Sequence, residues 1–178
     1  EEGAFASSYI PRRTFDSAGL READSLTVPR ELLGMSEGSY LTWFRPMYAA
    51  TEDDEPHGLL WAGGAVTIEH DATGGNPVLR CEVEGVIAEA AADFAAGTWQ
   101  FVACTWHEDE GVRLYVEDDQ GDIDKTETLV GFPPPDAPEV SLRIAPAWSL
   151  VGEVALHRLR LTDQAVTDFV AETGDHYP

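Results

Sequence analysis

Gly97-Thr98-Trp99-Gln100-Phe101-Val102-Ala103-Cys104-Thr105-Trp106, followed after a polar break by Val112-Arg113-Leu114-Tyr115-Val116-Glu117, is the stretch that decides the fold. Aromatic and β-branched residues dominate it, as they do in strands. Val102, Cys104 and Trp106 recur at a period of two. Leu114 and Val116 fall on one face, with Arg113, Tyr115 and Glu117 on the other. The intervening His107–Gly111 reads as the turn of a hairpin.

The same rhythm extends in both directions. Strands are expected at Ser25–Val28, Ser39–Arg45, Gly58–Trp61, Ala65–His70, Val78–Glu84, Val86–Ala88, Trp99–Trp106, Val112–Glu117, Glu127–Leu129, Val140–Ile144 and Glu153–Leu159. Val66 and Ile68 alternate with Thr67 and Glu69; one wet and one buried face is the mark of antiparallel sheets. Many short strands without a long helix imply a sandwich or barrel. Turns are expected at Gly63-Gly64, Gly74-Gly75-Asn76-Pro77 and Asp118-Asp119-Gln120-Gly121. Pro133-Pro134-Pro135-Asp136-Ala137-Pro138 reads as an extended loop, because proline cannot donate to a ladder. Thr51–Pro56 reads as an exposed acidic loop, and the alanine-rich Ala88–Ala96 also as a loop. One helix is expected near the end. Thr162 is its N-cap, Asp163 suits the positive helix start, and Ala165, Val166, Phe169 and Val170 form its apolar stripe. Gly174 supplies the stop, and the helix should seal an edge or end of the sandwich. The expected class is all-β, an antiparallel β-sandwich with one short C-terminal helix.

The chain has 178 residues, enough for one domain with a full core. No linker, repeat or second domain is visible, and no apolar run reaches the roughly 18–20 residues a membrane span needs. No secretory leader pattern is present and the first residue is Glu1, so a missing or processed upstream segment is expected. Charge is the dominant feature: 33 Asp and Glu stand against 11 Lys and Arg, a formal net charge of −22. Ordinary small domains carry about 2–8 net charges. At about 1 M salt the Debye length falls to about 3 Å and self-repulsion is screened. Lys125 is the single lysine among the basic residues. The composition resembles that of halophilic archaeal proteins; the alternative is an acidic mesophilic domain. The salt-adapted reading predicts loss of stability below roughly 0.5 M salt, read from melts across a salt series. Such a surface disfavours nucleic acid as a direct partner.

Catalytic signatures are sought next. No nucleophile-elbow, zincin, phosphate-loop or dinucleotide motif occurs, and His57, His70, His107, His157 and His176 lack ligand spacing. His70 and His107 fall at expected strand ends, where solvated or capping histidines are common. Glu117-x-Asp119-x-x-Asp122 approximates the carboxylate triplet of sandwich glycosidases, but it runs through an expected turn and reads as a solvated acidic segment. The chain is therefore read as a non-enzyme. Cys81 and Cys104 read as two buried thiols, bridged only if their strands are neighbours. Sugars stack on exposed aromatics beside carboxylates. Trp43, Trp99 and Trp106 read as packing. Trp61 and Trp148, with Tyr48, Asp53, Glu55 and His57, are the candidate ligand-binding residues. The alternative for each aromatic is to plug an end of the sandwich.

Two segments resemble the laminin-G-like, concanavalin A-like jelly roll. In Gly97–Trp106 and Val112–Val116 the resemblance lies in the Gly-Thr-Trp opening, the Val-Ala-small-Thr-aromatic strand and the hairpin into Leu-Tyr-Val. In Glu153-Val154-Ala155-Leu156-His157-Arg158-Leu159-Arg160-Leu161-Thr162-Asp163 it lies in a last strand running into a closing helix. The sequence departs from that pattern at Glu117–Gly121, where the family has Asp-Gly. It departs also near Ser149, which lacks the family's glycine, and at His157-Arg158, which replaces Tyr-Asn. Some family members hold a structural calcium near the last and N-terminal strands, which the resemblance places at Asp24 and Glu153; no other cofactor is implied. Ser7-Ser8-Tyr9-Ile10-Pro11 and Arg21-Glu22-Ala23-Asp24-Ser25-Leu26-Thr27-Val28-Pro29 are similar to a lead-in of tailed-virus structural proteins. The resemblances divide the chain into an extended lead-in, 1–24, packed on a sandwich domain, 25–178. They imply a virion surface module of a virus of halophilic archaea, in a capsid decoration, turret or tail fibre. Its partners would be other virion proteins and a host surface glycan or S-layer glycoprotein, with no membrane contact, in a homo-oligomeric assembly. The alternatives are a secreted carbohydrate-binding or adhesion domain and a glycoside hydrolase of the same fold.

Overall fold

The computed structural model describes residues 36–52, 56–62, 65–118, 120–134, 142–144 and 149–177. The lead-in 1–24, the strand expected at Ser25–Val28, the Gly63-Gly64 turn, residues 135–138 of the proline loop and the first two residues of the strand expected at Val140–Ile144 lie outside them. The elements are β1 (Glu37–Pro46), β2 (His57–Ala62), β3 (Val66–Asp71), β4 (Val78–Val83), β5 (Val86–Ala91), β6 (Gln100–His107), β7 (Gly111–Glu117), β8 (Ile123–Thr128), β9 (Leu142–Ile144), β10 (Ser149–His157) and α1 (Asp163–Thr173). They form two five-stranded antiparallel sheets, a first of order β10-β1-β6-β7-β8 and a second of order β5-β4-β3-β2-β9. The all-β sandwich with one short C-terminal helix is the observed class.

Alternation builds the core. Tyr40 and Phe44 of β1, Val102, Cys104 and Trp106 of β6, and Val112, Leu114 and Val116 of β7 face Val66 and Ile68 of β3 and Leu79, Cys81 and Val83 of β4. The β4–β5 hairpin closes through Glu84-Gly85, both at positive φ (49° and 79°), the two-residue turn that matches strand twist. The strand reading of Val86–Ala88 is extended by the structure. β5 continues through Ala91, because Ala88 and Ala90 alternate inward against β4 and small side chains suffice there. β8 likewise begins earlier than expected, at Ile123, whose side chain packs on the outer cluster described below.

The cysteines are joined. Cys81 of β4 and Cys104 of β6 form a disulfide with Cα atoms 6.2 Å apart. Neighbourhood within a sheet was the wrong condition. Both residues alternate inward from different sheets, so they meet across the core. The bridge closes a loop with sequence separation 23, which contributes about 3 kcal/mol by restricting the unfolded chain.

α1 is capped as expected: the Thr162 side chain accepts from Ala165 N, and Asp163 sits in the first turn. Two details differ. Gly174 has an ordinary right-handed conformation and leads into a 3-10 turn, Gly174–His176, rather than a left-handed stop. The helix also does not seal an edge or end; it lies on the outer face of the first sheet. Leu41, Trp43, Phe101, Ala103 and Tyr115 are buried there with Val166, and Phe169, Val170 and Tyr177 pack against them. Tyr115, expected on a wet face, is therefore 2% exposed. Trp43 Nε1 donates to Thr173 Oγ1 at 2.8 Å, and its ring stacks on Tyr177 at 5.2 Å. The β1–β10 register slips between Thr42 and Phe44, a bulge that sets Gly152 and Glu153 against Trp43. Gly152 leaves room for the Tyr177 ring, which a Cβ would meet at 2.6 Å, and Glu153 N donates to the Tyr177 hydroxyl.

Candidate functional site

Three of the sequence-derived binding residues, Tyr48, His57 and Trp61, are among the described residues. Asp53, Glu55, Trp148 and the calcium candidate Asp24 lie outside the described residues. Trp61 is placed by register in β2, opposite Thr67 and Arg143. Tyr48 and His57 do come together, with stacked rings 4.2 Å apart. They are buried, however, at 8% and 7% exposure, so neither is the surface platform expected of it. Phe94 and His70 complete this nest, Phe94 lying 5.9 Å from Tyr48 and 5.0 Å from His70. His70, expected to be solvated or capping, is buried because it alternates inward on β3. The nest plugs an end of the core, as loop aromatics at a sandwich end can do. His107 behaves as expected, its Nδ1 accepting from Asp109 N across the β6–β7 turn.

The other acidic candidates are also local. Glu117 ends β7, whereas Asp122 lies across the turn, so they do not share a strand. Asp118 organises that turn: its Oδ1 accepts from Gln120 N and Asp122 N, both at 2.8 Å. Burial pushes the Glu117 carboxyl above its ordinary range. Glu153 lies in β10, and among the described residues no group of three His, Cys, Asp or Glu side chains converges on one point.

Sequence reasoning missed a cleft of about 440 Å³ at the start of α1, lined by Glu110, Arg113, Arg160, Leu161, Thr162, Asp163 and Gln164. Alternation puts Arg113 on the outer face of β7, and pairing sets Glu127 opposite it and Lys125 opposite Tyr115. Asp163 joins these elements. Its Oδ1 accepts from the Tyr115 hydroxyl and its Oδ2 from Lys125 Nζ, both at 2.8 Å, with Arg113 Nη1 at 3.6 Å. The hydrogen bond from Lys125, then that from Tyr115, holds the Asp163 carboxyl below its ordinary range, and the same bond holds Lys125 above its own. Arg113 Nε lies 3.1 Å from Glu127. Arg160 sits deeper: its side chain is only 7% exposed and Nη1 engages Glu110, while Nε and Nη2 are sealed from solvent with no hydrogen-bond partner among the described residues. The chain around Arg160 is pinned by Ser39, whose hydroxyl donates to Leu159 O and accepts from Leu161 N. The available signal was Arg113 on the outward register of β7 and Arg160 just ahead of a helix cap, in a chain with few cations.

No protein-family profile matches the sequence, and no curated protein does. Solved structures do match. Domain 4 of AbnA, an extracellular GH43 arabinanase from Geobacillus stearothermophilus, in complex with arabinotriose, superposes at a TM-score of 0.58 with 19% identity, over 94% of this chain and 82% of that one. The binding domain of botulinum neurotoxin DC in complex with SialylT gives 0.55 and 10%, over 77% of this chain and 36% of that one. The botulinum neurotoxin type G receptor binding domain gives 0.53 and 10%, over 78% and 38%. This chain shares the β-sandwich fold of these domains. It spans little more than a third of the toxin chains it matches, and at these identities the likeness is one of fold.

Proposed function

We propose that this chain is a non-catalytic binding module for a surface glycan or glycoprotein. The observation that carries the reading is the superposition over nearly the whole chain on a domain solved with arabinotriose. The core disulfide supports an oxidising, extracellular setting. The finer reading places the module on the surface of a virion infecting halophilic archaea, in a homo-oligomeric assembly. Its support is the −22 charge and the lead-in motif. The alternative is a secreted adhesion domain of a cell. Calcium at Asp24 and Glu153 remains part of the proposal, and a melt before and after chelation tests it.

The module is tested by binding the intact chain to a glycan panel in about 1 M salt, where its self-repulsion is screened, and by assaying released reducing ends on the same glycans. Binding without release is expected. Release abolished by Glu117→Gln would instead make the chain a hydrolase. Imaging and composition of purified particles tests the virion placement, and absence from particles would leave the cellular adhesion domain.

A further inference from the structure

α1 does not cover the whole outer face of the first sheet. It crosses from β7, where Asp163 meets Tyr115, to β1, where Thr173 and Tyr177 meet Trp43. By alternation, the side chains that follow Trp43 and Phe101 on that face are Arg45 and Trp99. Phe44 pairs with Gln100, and Gly97 N donates to Pro46 O, so the register runs on and sets Arg45 opposite Trp99. On the next strand the ladder ends at Val102 and Val116, which puts Glu117 opposite Phe101 and diagonal to Trp99. Arg45, Trp99 and Glu117 therefore form a strip beyond the helix, on neighbouring strands about 4.8 Å apart.

All three residues are partly exposed. Trp99 is held in place by the roof without lying under it: its ring packs on Tyr177 with centroids 4.7 Å apart. Arg45 is held through Nε, which donates to Gly97 O, a carbonyl presented by a left-handed glycine (φ 79°). Among the described residues that is its one hydrogen bond, and its Nη atoms are not among those sealed from solvent. Burial raises the Glu117 carboxyl and the Phe101 amide draws it back by a hydrogen bond, which ties this group to the same strip.

An aromatic face flanked by outward N–H groups and a carboxylate matches the chemistry of a sugar ring. Its C–H face stacks on the indole, and its hydroxyls accept from the guanidinium and donate to the carboxylate. An anion would meet Glu117, Asp118 and a net charge of −22, and a cation would meet Arg45. Neutral hydroxyls use both groups. We propose that this strip binds a neutral sugar ring, stacked on Trp99 and held between the Nη atoms of Arg45 and the Glu117 carboxylate. The strip stands on register and exposure; the sugar rests on the glycan-binding reading above.

The test titrates the intact, oxidised chain in about 1 M salt with arabinotriose, maltotriose and trigalacturonate, followed by calorimetry and the indole N–H resonances. A neutral trisaccharide should bind and shift the Trp99 indole, and trigalacturonate should bind more weakly. Trp99→Ala should abolish measurable binding. Because that change also strips a neighbour from Tyr177, Arg45→Gln is the second variant. It removes the Nη pair at the rim, should leave the melt near native, and should weaken binding about tenfold. Trigalacturonate binding more tightly than both neutral probes would overturn the neutral assignment. Binding that both variants leave unchanged, or shifts confined to other elements, would keep the glycan module and overturn this site. No binding of either neutral probe at millimolar concentration would also overturn the site, and no binding across the wider glycan panel would overturn the module with it.

Discussion

The outer faces of the two sheets have opposite fates. On the second sheet, Glu69 and Asp71 of β3, Arg80 of β4 and Glu89 of β5 lie toward solvent, with Arg80 Nε 2.7 Å from Glu89 and its Nη1 3.2 Å from Glu69. On the first sheet the corresponding face is roofed by α1, and Leu41, Trp43, Phe101 and Tyr115 are buried under it. The first sheet is thus a middle layer, apolar on both sides. The contrast teaches where specificity can reside. The open face offers exposed charge, whereas the roofed face ends in a strip beyond α1, where Trp99 and Arg45 lie at the edge of an apolar layer.

The comparison is broken most severely by removing what the roof holds. Trp43→Ala deletes a buried indole, its bond to Thr173 and its stack on Tyr177. It should cost about 3–5 kcal/mol in denaturant unfolding, while Ile87→Ala on the open face should cost less than about 1 kcal/mol. Comparable losses at the two positions would mean that α1 does not cover the sheet. Next in size is the link between the layers. Replacing Cys81 and Cys104 together by alanine should lower stability by about 3 kcal/mol, and reduction of the native chain should do the same.

A smaller effect is set by pH. His157 of β10 has its pKa lowered from the ordinary 6.5 by burial, which favours the neutral ring in the folded chain. Its contribution is complete above pH 6.5 and is lost as pH falls through 6.5 toward the folded value. His157→Gln should therefore flatten the stability profile in that window; an unchanged slope would place the imidazole in solvent. The smallest effect belongs to the open face. Arg80→Ala removes partly exposed ion pairs and should cost at most about 1 kcal/mol, shrinking further as salt rises.

These faces also explain what could be read from sequence. On the second sheet, Val66-Thr67-Ile68-Glu69 alternates because one side meets water, and both strand and facing were legible. On the first sheet, Leu41–Phe44 and Phe101–Trp106 lack polar positions at alternate sites because both sides are buried. The strands were legible there, but the roof was not inferred from that continuity, so Tyr115 was assigned to water. The same continuity accounts for α1 lying on the outer face and not, as expected, at an edge or end of the sandwich. The disulfide was hidden because facing across layers leaves no mark in spacing, although both cysteines were placed on inward registers. The cleft at the start of α1 was the least legible feature. Arg113, Arg160 and Asp163 are separated along the chain and converge only when α1 lies across β7, and in so acidic a chain the position of one carboxylate carries little signal.

Amide hydrogen exchange of the intact, oxidised chain in about 1 M salt tests the layered account most directly. The account predicts that the amides of β1 and β6, central in a sheet covered on both faces, exchange slowest, and that β5 and β8 at the sheet margins exchange faster. Protection greater in β3 and β4 than in β1 and β6, with α1 exchanging freely, would contradict it.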